Sequence, residues 1–346
     1  MTSTTDIPTP QVTTAAVVGA GAFGSAIAKL LSDSGVPTSL WAREPEVVES
    51  IETSRENEMF LPGVRLARTL WATTDLGAAL EGADVVVSAV PTQYVRSVLS
   101  DAADELHDAE LLVTISKGIE KDTLLTPAQI LADALPGPLT DGIVVLSGPS
   151  FAAEIALSRP TAVVAASKNI VNARRIRDLF STETFRVYSS DDVVGVELGG
   201  AMKNVIAIAA GISEGLGYGQ NALAALIARG LAEITRLGVA LGAHPATFSG
   251  LAGMGDLLLT CTGDLSRNRT LGLALGTGSK REEIMSERRT VAEGVATTLT
   301  AHRLADKVGV EMPITEQVYL VLYEDKDPAT AALHLMAREL RDERDG

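Results

Sequence analysis

The sequence predicts a doubly wound α/β fold followed by an all-helical C-terminal part, and three observations support this prediction. Short apolar runs such as "TAAVVG" and "DVVVSAV" alternate with helical patterns up to Ser190. A glycine-rich turn follows the first of these runs. Beyond Ser190 the chain has helical periodicity and no convincing strand. Fully apolar strands separated by helices are typical of a parallel sheet that is covered on both faces.

The predicted strands are bounded by turn residues or by helical patterns. Seven runs read as strands in chain order: "TAAVVG", "PTSLWAR", "DVVVSAV", "LLVTISKG", "GIVVLSGP", "TAVVAAS" and "FRVYSS". Three of the segments between them have clear helical character: "GSAIAKLLSDSG", which ends at Gly35, "DLGAALEGA" and "NIVNARRIRDLF". The alternation of the two patterns is what predicts crossover connections within one sheet.

The C-terminal part begins with good helix-start signals. Asp191 and Asp192 are N-cap candidates, and Asn221 is expected to cap the helix "ALAALIARGLAEITRLGVALG". Later helices are expected over about 280–308 and 313–341.

These patterns divide the chain into three segments. We expect a disordered lead-in at 1–13, a dinucleotide-binding domain at 14–190 and a helical substrate and catalytic domain at 191–341. The lead-in has no basic residue and no apolar core, so it is not expected to be a targeting peptide.

Composition narrows the classes of function. The chain has 346 residues, is 46% hydrophobic and has a formal net charge of −15, so nucleic acids and anionic membranes are not expected partners. The apolar run Val205 to Ile212 is too short to span a bilayer, and a soluble cytoplasmic protein is expected. The single cysteine, Cys261, excludes an intramolecular disulfide. The four histidines are scattered, so no metal site is expected.

The glycine-rich turn has the pattern G-x-G-x-x-G, formed by Gly19, Gly21 and Gly24, between a strand and a helix. In that setting the glycines allow a tight turn and close approach of a pyrophosphate to the helix N-terminus, which indicates a Rossmann-type nucleotide site. Arg43 ends the second strand, where an acid would bind the ribose of NAD, and an arginine suits a 2′-phosphate. The adjacent Glu44 is the alternative if the register differs by one residue.

Further candidates follow the carboxyl ends of predicted strands, where open α/β sheets bind ligands. They include Lys117 after "LLVTIS" and Gly148 and Ser150 after "IVVL". A surface position is the alternative interpretation for Lys117. The segment "LAGMGDLLLTCTGDLSRNR" then offers a hydroxyl, a guanidinium and an amide in succession, a set suited to a phosphate. Cys261 in this segment is interpreted as a packed residue, because no histidine lies near it in sequence.

One lysine, Lys203, lies in the apolar stretch "VELGGAMKNVIAIAAG". Apolar surroundings disfavour the charged form of a lysine, which makes its proton easier to donate. The alternative is a surface lysine whose stem extends to water. The neighbouring small residues, Gly199, Gly200 and Ala201, leave room for a ligand beside Lys203.

Together these segments resemble the bacterial-type NAD(P)-dependent sn-glycerol-3-phosphate dehydrogenase family. The resemblance spans about 14–320 and rests on "VVGAGAFGSAIA", "ISKGIE", "LSGPSFAAEIA", "ELGGAMKNVIAIAAGI", "GLAGMGDLLLTCTGDLSRNR" and "VAEGV". It implies interconversion of dihydroxyacetone phosphate and glycerol 3-phosphate with NADPH or NADH, a supply of glycerol 3-phosphate for phospholipid synthesis, and a homodimer. NADPH is the favoured cofactor because of Arg43.

The resemblance also implies roles for individual residues. Lys203 is the implied catalytic acid/base, with Lys117 and Asp256 beside it. The implied substrate-binding residues are Lys117, Gly148, Ser150, Lys203, Asn204, Asp256, Ser266, Arg267 and Asn268. The implied cofactor-binding residues are Gly19, Gly21, Ala22, Phe23, Gly24, Arg43, Lys117, Ala152, Arg267, Val291 and Glu293. Relatives often have Trp or Tyr where this chain has Phe23, and Thr also occurs at the position of Ser150. Several relatives have Ser where this chain has Ala22, so the implied contact at Ala22 is through its backbone only.

Two other functions fit parts of the pattern. One is a related β-hydroxyacid-type dehydrogenase that acts on a carboxylate, which would need less than the Ser266-Arg267-Asn268 cluster. The other is a non-catalytic NADPH-binding sensor, which would have no need of both Lys203 and Lys117.

Overall fold

The computed structural model of this chain describes residues 14–135, 137–281, 284, 293–340, 342 and 343, so the lead-in predicted at 1–13 lies outside the described residues. The strands are β1 (Ala15–Val18), β2 (Thr38–Trp41), β3 (Glu56–Asn57), β4 (Leu61–Arg65), β5 (Leu70–Thr73), β6 (Val85–Ser88), β7 (Leu111–Thr114), β8 (Ile143–Ser147), β9 (Thr161–Ala166) and β10 (Phe185–Ser190). Eight of them form one sheet in the order β10-β9-β8-β7-β6-β1-β2-β5, and β3 pairs with β4. All seven predicted strands are therefore confirmed, and β3, β4 and β5 are additional.

Helices cover this sheet. In the first half they are α1 (Ala22–Asp33), α2 (Pro45–Ser54), α3 (Leu76–Leu80), α4 (Thr92–Asp101), α5 (Pro127–Ala134), α6 (Gly137–Thr140), α7 (Ala152–Ala156) and α8 (Ile170–Phe180). The predicted helices correspond to α1, α3 and α8. Two separate apolar clusters pack on the sheet, one centred on Val17 and Leu40 and the other on Val86 and Val145. Burial on both faces explains why the strands are almost wholly apolar.

The prediction that the whole sheet is parallel is wrong at one edge. β8 and β9 pair antiparallel, with Val145 opposite Ala166, whereas β9 and β10 are parallel to each other. The only helix between β8 and β9 is α7, which has five residues and rises about 8 Å. It does not carry the chain back along the sheet, and β9 runs in the opposite direction.

The remainder of the described chain is helical. Its helices are α9 (Val193–Gly215), α10 (Gln220–Ala240), α11 (Pro245–Phe248), α12 (Asp256–Thr262), α13 (Arg267–Gly276), α14 (Glu293–Val308), α15 (Pro313–Tyr323) and α16 (Pro328–Met336). A π-helical turn, Leu251–Gly255, leads directly into α12. A third apolar cluster, built around residues of α9 such as Val205 and Ile206, forms the core of this part.

The helix boundaries of the C-terminal part agree only partly with the predictions. Asp192 caps α9, because its side chain accepts a hydrogen bond from Gly195 N, as expected for one of the two candidates. The prediction that Asn221 caps the next helix is wrong: the cap is Gly219, and Asn221 lies within the first turn of α10. The helical region expected at 313–341 is interrupted before Pro328, where Asp327 caps a new helix with its side chain.

Helix α9 is long and apolar enough to cross a membrane by length and composition, but 83% of its most apolar window is buried inside the protein. It contacts several neighbouring helices as well as β8, so it acts as the central helix of the C-terminal part.

Candidate active site

The direction of α9 determines where its lysine lies. Because β9 and β10 run against the other strands, β10 ends at the edge of the sheet where β8 begins. Helix α9 starts there and extends towards the carboxyl end of β8, and ten residues of helix from Val193 cover about 15 Å. Lys203 is thereby brought to the ligand-binding edge of the sheet.

Close approach of backbone to backbone makes this arrangement possible. A Cβ atom on Gly199 would lie 2.3 Å from the carbonyl oxygen of Ala252, and one on Gly200 would lie 2.7 Å from Ser147 Oγ. These distances leave no space for a side chain. The two glycines before Lys203 therefore allow α9 to pack directly against the π-helical turn and the end of β8.

Three charged side chains meet at this point. Lys203 Nζ lies 2.5 Å from Asp256 Oδ1, and Lys117 Nζ lies 2.7 Å from Asp256 Oδ2. The side chain of Asp256 is 1% exposed, that of Lys203 10% and that of Lys117 13%. Lys117 also donates to the carbonyl oxygen of Gly148 over 3.2 Å. The structure thus brings together the three residues expected to be catalytic.

The environment of Lys203 favours release of its proton. The pKa of Lys203 is lowered to about 8: burial lowers it most, the charge of Asp256 opposes this effect, and the charge of Lys117 adds to the lowering. An ammonium with a pKa near neutrality can both donate and accept a proton at physiological pH. The physical cause is desolvation in the apolar helix, as the sequence suggested.

Lys117 is positioned by the segment that follows it. Gln93 of α4 donates from Nε2 to the carbonyl oxygen of Ile119 over 2.8 Å and accepts from Lys121 N over 3.0 Å. Arg96 of α4 pairs with Glu120 over 2.9 Å. These contacts fix the loop after β7 against α4. Lys117 is therefore held by its backbone on one side and by Asp256 at its ammonium.

The predicted hydroxyl–guanidinium–amide set lies at the start of α13. Ser266 caps the helix, accepting a hydrogen bond from Arg269 N, and Arg267 is exposed in the first turn. Asn268 is buried and donates to Asn204 Oδ1 over 2.9 Å, and its own Oδ1 accepts from Gly294 N over 3.0 Å. The two asparagines therefore connect α9, α13 and the beginning of α14.

Glu293 is the first residue of α14. Burial raises its pKa, and the charges of Arg267, Lys117 and Lys203 oppose the rise, so the carboxyl group lies within the field of all three cations. Val291, the other cofactor candidate in this segment, lies outside the described residues.

The glycine-rich turn fits a dinucleotide. Gly19 has φ +115°, and a Cβ on Gly24 would lie 1.9 Å from the carbonyl oxygen of Gly19. Gly21 is exposed and forms the N-cap of α1, with no atom within 4 Å of where its Cβ would be. The turn is therefore tight on its inner side and open on its outer side, as an approaching pyrophosphate requires.

The remaining candidates lie between this turn and the charged cluster. Ala22 and Phe23 form the first turn of α1, and Lys117 Nζ is 5.9 Å from the centroid of the Phe23 ring. Ser150 donates to the carbonyl oxygen of Gly148 over 2.8 Å. Ala152 begins α7, which packs on α1. Phe23 therefore connects the nucleotide turn to the lysines.

Arg43 is at the expected strand end but is already paired. Its side chain is 80% exposed, and its guanidinium contacts Glu44 Oε1 at 2.7 Å. Glu44 itself is the N-cap residue of α2. Arg43 and Glu44, the two candidates for contact with the ribose of the cofactor, thus form one ion pair just after the carboxyl end of β2.

The structure also contains contacts that sequence reasoning missed. Asn57 and Ser25 both donate to the carbonyl oxygen of Ala20 inside the nucleotide turn. Nothing in the sequence links Asn57, 37 residues away, to that turn. Cys261 is buried, and burial raises the pKa of its thiol to about 12, which agrees with a packing role. Among the described residues no group of three or more His, Cys, Asp or Glu side chains could hold a metal ion.

A cavity of about 550 Å³ lies elsewhere, between α10, α15 and α16. None of the predicted site residues lines it. The site is therefore defined by the charged cluster and the nucleotide turn.

Comparison with known families agrees with this geometry. Residues 14–173 match the NAD-dependent glycerol-3-phosphate dehydrogenase N-terminus, and residues 192–333 match the corresponding C-terminus. The chain belongs to the NAD-dependent glycerol-3-phosphate dehydrogenase family. The family, the parallel-dominated α/β fold with a helical C-terminal part, and the oxidoreductase class are thereby confirmed.

Individual members of the family are similar over nearly their whole length. A glycerol-3-phosphate dehydrogenase [NAD(P)+] of Citrifermentans bemidjiense is 55% identical over 328 residues, which cover 95% of this chain and 98% of the relative. One of Geobacter metallireducens is 56% identical over the same length. The crystal structure of glycerol-3-phosphate dehydrogenase from Coxiella burnetii is 39% identical, with a TM-score of 0.89, and covers 94% of this chain and 99% of that chain.

Proposed function

We propose that this chain interconverts dihydroxyacetone phosphate and sn-glycerol 3-phosphate with NADPH or NADH, and that Lys203 is its general acid/base. The observation that carries this proposal is the contact of Lys203 and Lys117 with the two oxygens of the buried Asp256. The cluster lies at the sheet edge that also carries the nucleotide turn. A catalytic proton donor and a hydride donor must approach the same carbonyl group from this edge.

The chemistry follows from charge. When bound, the dihydronicotinamide supplies a hydride to the carbonyl carbon. Negative charge then develops on the carbonyl oxygen, and Lys203 Nζ gives it a proton. Lys117 stabilises the same oxygen electrostatically, because a second ammonium in a buried site strengthens this interaction. In the reverse direction the neutral amine of Lys203 takes the proton from the hydroxyl group. Asp256 keeps both ammonium groups in place.

The phosphate of the substrate is expected at the start of α13. Arg267 offers a planar guanidinium there, and the hydroxyl of Ser266 and the amide of Asn268 flank it. Asn204, Gly148 and Ser150 complete the proposed substrate site. Binding energy from the phosphate, which does not react, orients the carbonyl group against Lys203.

The cofactor is expected along α1. Gly19, Gly21, Ala22, Phe23 and Gly24 would hold the pyrophosphate and its neighbours, and Glu293 and Val291 the nicotinamide end. The ion pair of Arg43 with Glu44 supports use of both cofactors: Arg43 suits the phosphate of NADPH, whereas Glu44 suits the ribose hydroxyl of NADH. We propose that NADPH is used at least as well as NADH.

Wider properties follow from the same assignment. We propose a dinucleotide domain at 14–190 and a helical catalytic domain at 191–341, which is supported by the end of β10 at Ser190 and the start of α9 at Val193. A cytoplasmic homodimer that supplies glycerol 3-phosphate for phospholipid synthesis is the corresponding cellular proposal.

The decisive experiment compares wild type with Lys203→Met in both directions. Oxidation of NADPH should occur with dihydroxyacetone phosphate and be far slower with unphosphorylated dihydroxyacetone or with a 2-oxo acid. Lys203→Met keeps much of the buried stem, so the fold should survive, and kcat should fall about 10²–10⁴-fold. The affinity for NADPH, measured by fluorescence, should change little.

Two further variants complete this experiment. Lys117→Met should raise KM for substrate and cofactor as well as lower kcat. Lys29→Met removes a lysine that is paired with Asp33 on α1, and it should have no effect on kcat. A folded Lys203→Met protein with kcat within a few-fold of wild type would transfer the acid/base role to Lys117. Absence of turnover with any of the substrates would favour the non-catalytic sensor.

A further inference from the structure

The side chain of Asn57, a buried residue that does not belong to the strand–turn–helix unit, donates a hydrogen bond to the nucleotide turn. We propose that Asn57 is a positioning residue for cofactor binding, which orients the peptide between Ala20 and Gly21 so that Gly21 N–H faces the pyrophosphate. This inference rests on the proposed use of a dinucleotide at the Gly19–Gly24 turn. It adds a residue that lies outside the strand–turn–helix unit itself.

The hydrogen bonds of Asn57 define its orientation. Its Nδ2 donates to the carbonyl oxygen of Ala20 over 2.8 Å and to Ser25 Oγ over 2.8 Å. Its Oδ1 accepts from Phe60 N over 3.0 Å. Since a backbone N–H can only donate and a carbonyl oxygen can only accept, these partners decide which atom of the amide faces which way. Ser25 Oγ donates to the same Ala20 oxygen over 3.1 Å.

The geometry of the peptide bond transmits this contact to the ligand side. The carbonyl of Ala20 and the N–H of Gly21 belong to one planar trans peptide, in which the two groups point in opposite directions. Two donors hold the Ala20 oxygen towards the protein interior. The N–H of Gly21 is therefore directed outwards, on the open side of the turn where Gly21 is exposed.

The turn needs such support because its sequence provides little. Gly19 and Gly21 flank Ala20, and glycine backbones are conformationally free, so the Ala20–Gly21 peptide could rotate at low cost. Asn57 is fully buried, and a buried amide is costly unless it is hydrogen-bonded. Packing alone would be satisfied by an apolar residue. The amide is needed because it donates hydrogen bonds to the carbonyl oxygen of Ala20 and to the hydroxyl oxygen of Ser25.

The support is anchored by the hairpin of β3 and β4. Asn57 ends β3, and β4 packs against both α1 and α7. Phe60, whose N–H orients the Asn57 amide, packs in the same apolar cluster as Phe23 of α1. The hairpin therefore holds Asn57 rigidly against the turn.

The test uses Asn57→Asp, which has the same shape but cannot donate from either oxygen when ionised. The matched control is Asn172→Asp, because Asn172 also donates its amide to a backbone carbonyl, that of Asp141, over 2.8 Å and away from the site. Binding of NADPH is followed by fluorescence, binding of ADP-ribose by competition, and initial rates are measured with dihydroxyacetone phosphate. Ser25→Ala removes the second donor to the same oxygen.

We expect Asn57→Asp to weaken NADPH and ADP-ribose by a common factor of about ten or more, since a lost hydrogen bond to a buried group is of that scale. KM for dihydroxyacetone phosphate and kcat at saturating NADPH should stay within about twofold of wild type. Ser25→Ala should weaken both ligands in the same direction but less. Asn172→Asp should leave both affinities unchanged.

Other outcomes separate the possible failures. A wild-type protein that binds neither NADPH nor NADH overturns the proposed function. Wild-type affinity for both ligands in folded Asn57→Asp overturns only the positioning role. A fall in kcat together with an equal rise in KM for NADPH and for dihydroxyacetone phosphate also overturns it, because this result would indicate general damage to the protein. If Asn57→Asp does not fold, Ser25→Ala decides: unchanged affinities for both ligands in that variant overturn the proposal.

Discussion

Replacement of Asp256 by Asn tests the electrostatic design of the site, because it removes one charge and almost no volume. Asp256 is the carboxylate that contacts both ammonium groups, at 2.5 Å from Lys203 Nζ and 2.7 Å from Lys117 Nζ. The variant leaves two buried cations next to each other. The group that can relieve the repulsion is Lys203, since burial has already lowered its pKa to about 8.

The size of the effect can be estimated from the contact. An opposite charge at such a distance favours the ammonium by about 1.4–4 kcal/mol, which is 10- to 1,000-fold in proton affinity. In wild type about nine-tenths of Lys203 is protonated at pH 7, from a pKa of about 8. A 100-fold loss would leave about a tenth protonated. Reduction at pH 7 should therefore fall roughly tenfold from the change in protonation alone.

The sign of the pH dependence distinguishes this cause from others. If Lys203 is the proton donor, as proposed, reduction needs its protonated form, so kcat/KM for dihydroxyacetone phosphate in wild type should fall as pH rises through about 8. In Asp256→Asn the same decline should begin about two pH units lower, and acidification should recover part of the lost rate. Under the same proposal, oxidation of glycerol 3-phosphate requires the neutral amine, so its pH profile should move in the same direction.

The control is Asp192→Asn at the other end of α9. Asp192 is also buried and accepts hydrogen bonds from Gly195 N, His244 N and Thr247 Oγ1. Its replacement should lower the melting temperature and leave the pH profile unchanged. A reduction profile of Asp256→Asn that is lowered at every pH without a shift would refute the role of Asp256 in tuning Lys203.

Three other predictions follow from the charges in the structure. Arg43→Ala should raise KM for NADPH much more than for NADH, and Glu44→Gln, which releases Arg43 from its ion pair, should lower KM for NADPH; equal effects on both cofactors would contradict this assignment. Arg267→Ala should reduce kcat/KM for dihydroxyacetone phosphate by a factor that corresponds to a few kcal/mol of transition-state stabilisation, and Arg267→Lys should recover part of the loss. The guanidinium of Arg269 forms ion pairs within the helical part, so Arg269→Ala should mainly affect stability. Burial raises the pKa of Glu197 to about 7, so the stability that its protonated form contributes is lost as pH rises from about 4.5 through 7. Glutamine cannot ionise, so the free energy of unfolding of Glu197→Gln should increase relative to wild type by up to about 3 kcal/mol between pH 5 and 8, measured by denaturation.

Local patterns were sufficient for seven of the strands, for some of the helices and for several of the site residues. The seven apolar strands, the cap at Asp192 and the strand-end position of Lys117 depend on short-range signals that the sequence shows directly. The support of the nucleotide turn by Asn57 could not be predicted, because it depends on where the β3–β4 hairpin packs. The pairing of Arg43 with Glu44 likewise depends on side-chain conformation at the end of β2.

The antiparallel pairing of β8 and β9, which was not predicted, determines where Lys203 lies. Had β9 and β10 been parallel to the other strands, β10 would end at the carboxyl edge, and α9 would run away from that edge. Ten residues of helix would then carry Lys203 about 15 Å from Lys117 instead of bringing it into the cluster with Asp256. The apolar surroundings of Lys203 can be recognised in the sequence, but its partners depend on one antiparallel return. The helix after β8 is only five residues long, so it does not carry the chain back along the sheet as a parallel pairing would need. The arrangement of Lys203, Asp256 and Lys117 therefore depends on the direction of β9 and β10 as much as on the residues that form the cluster.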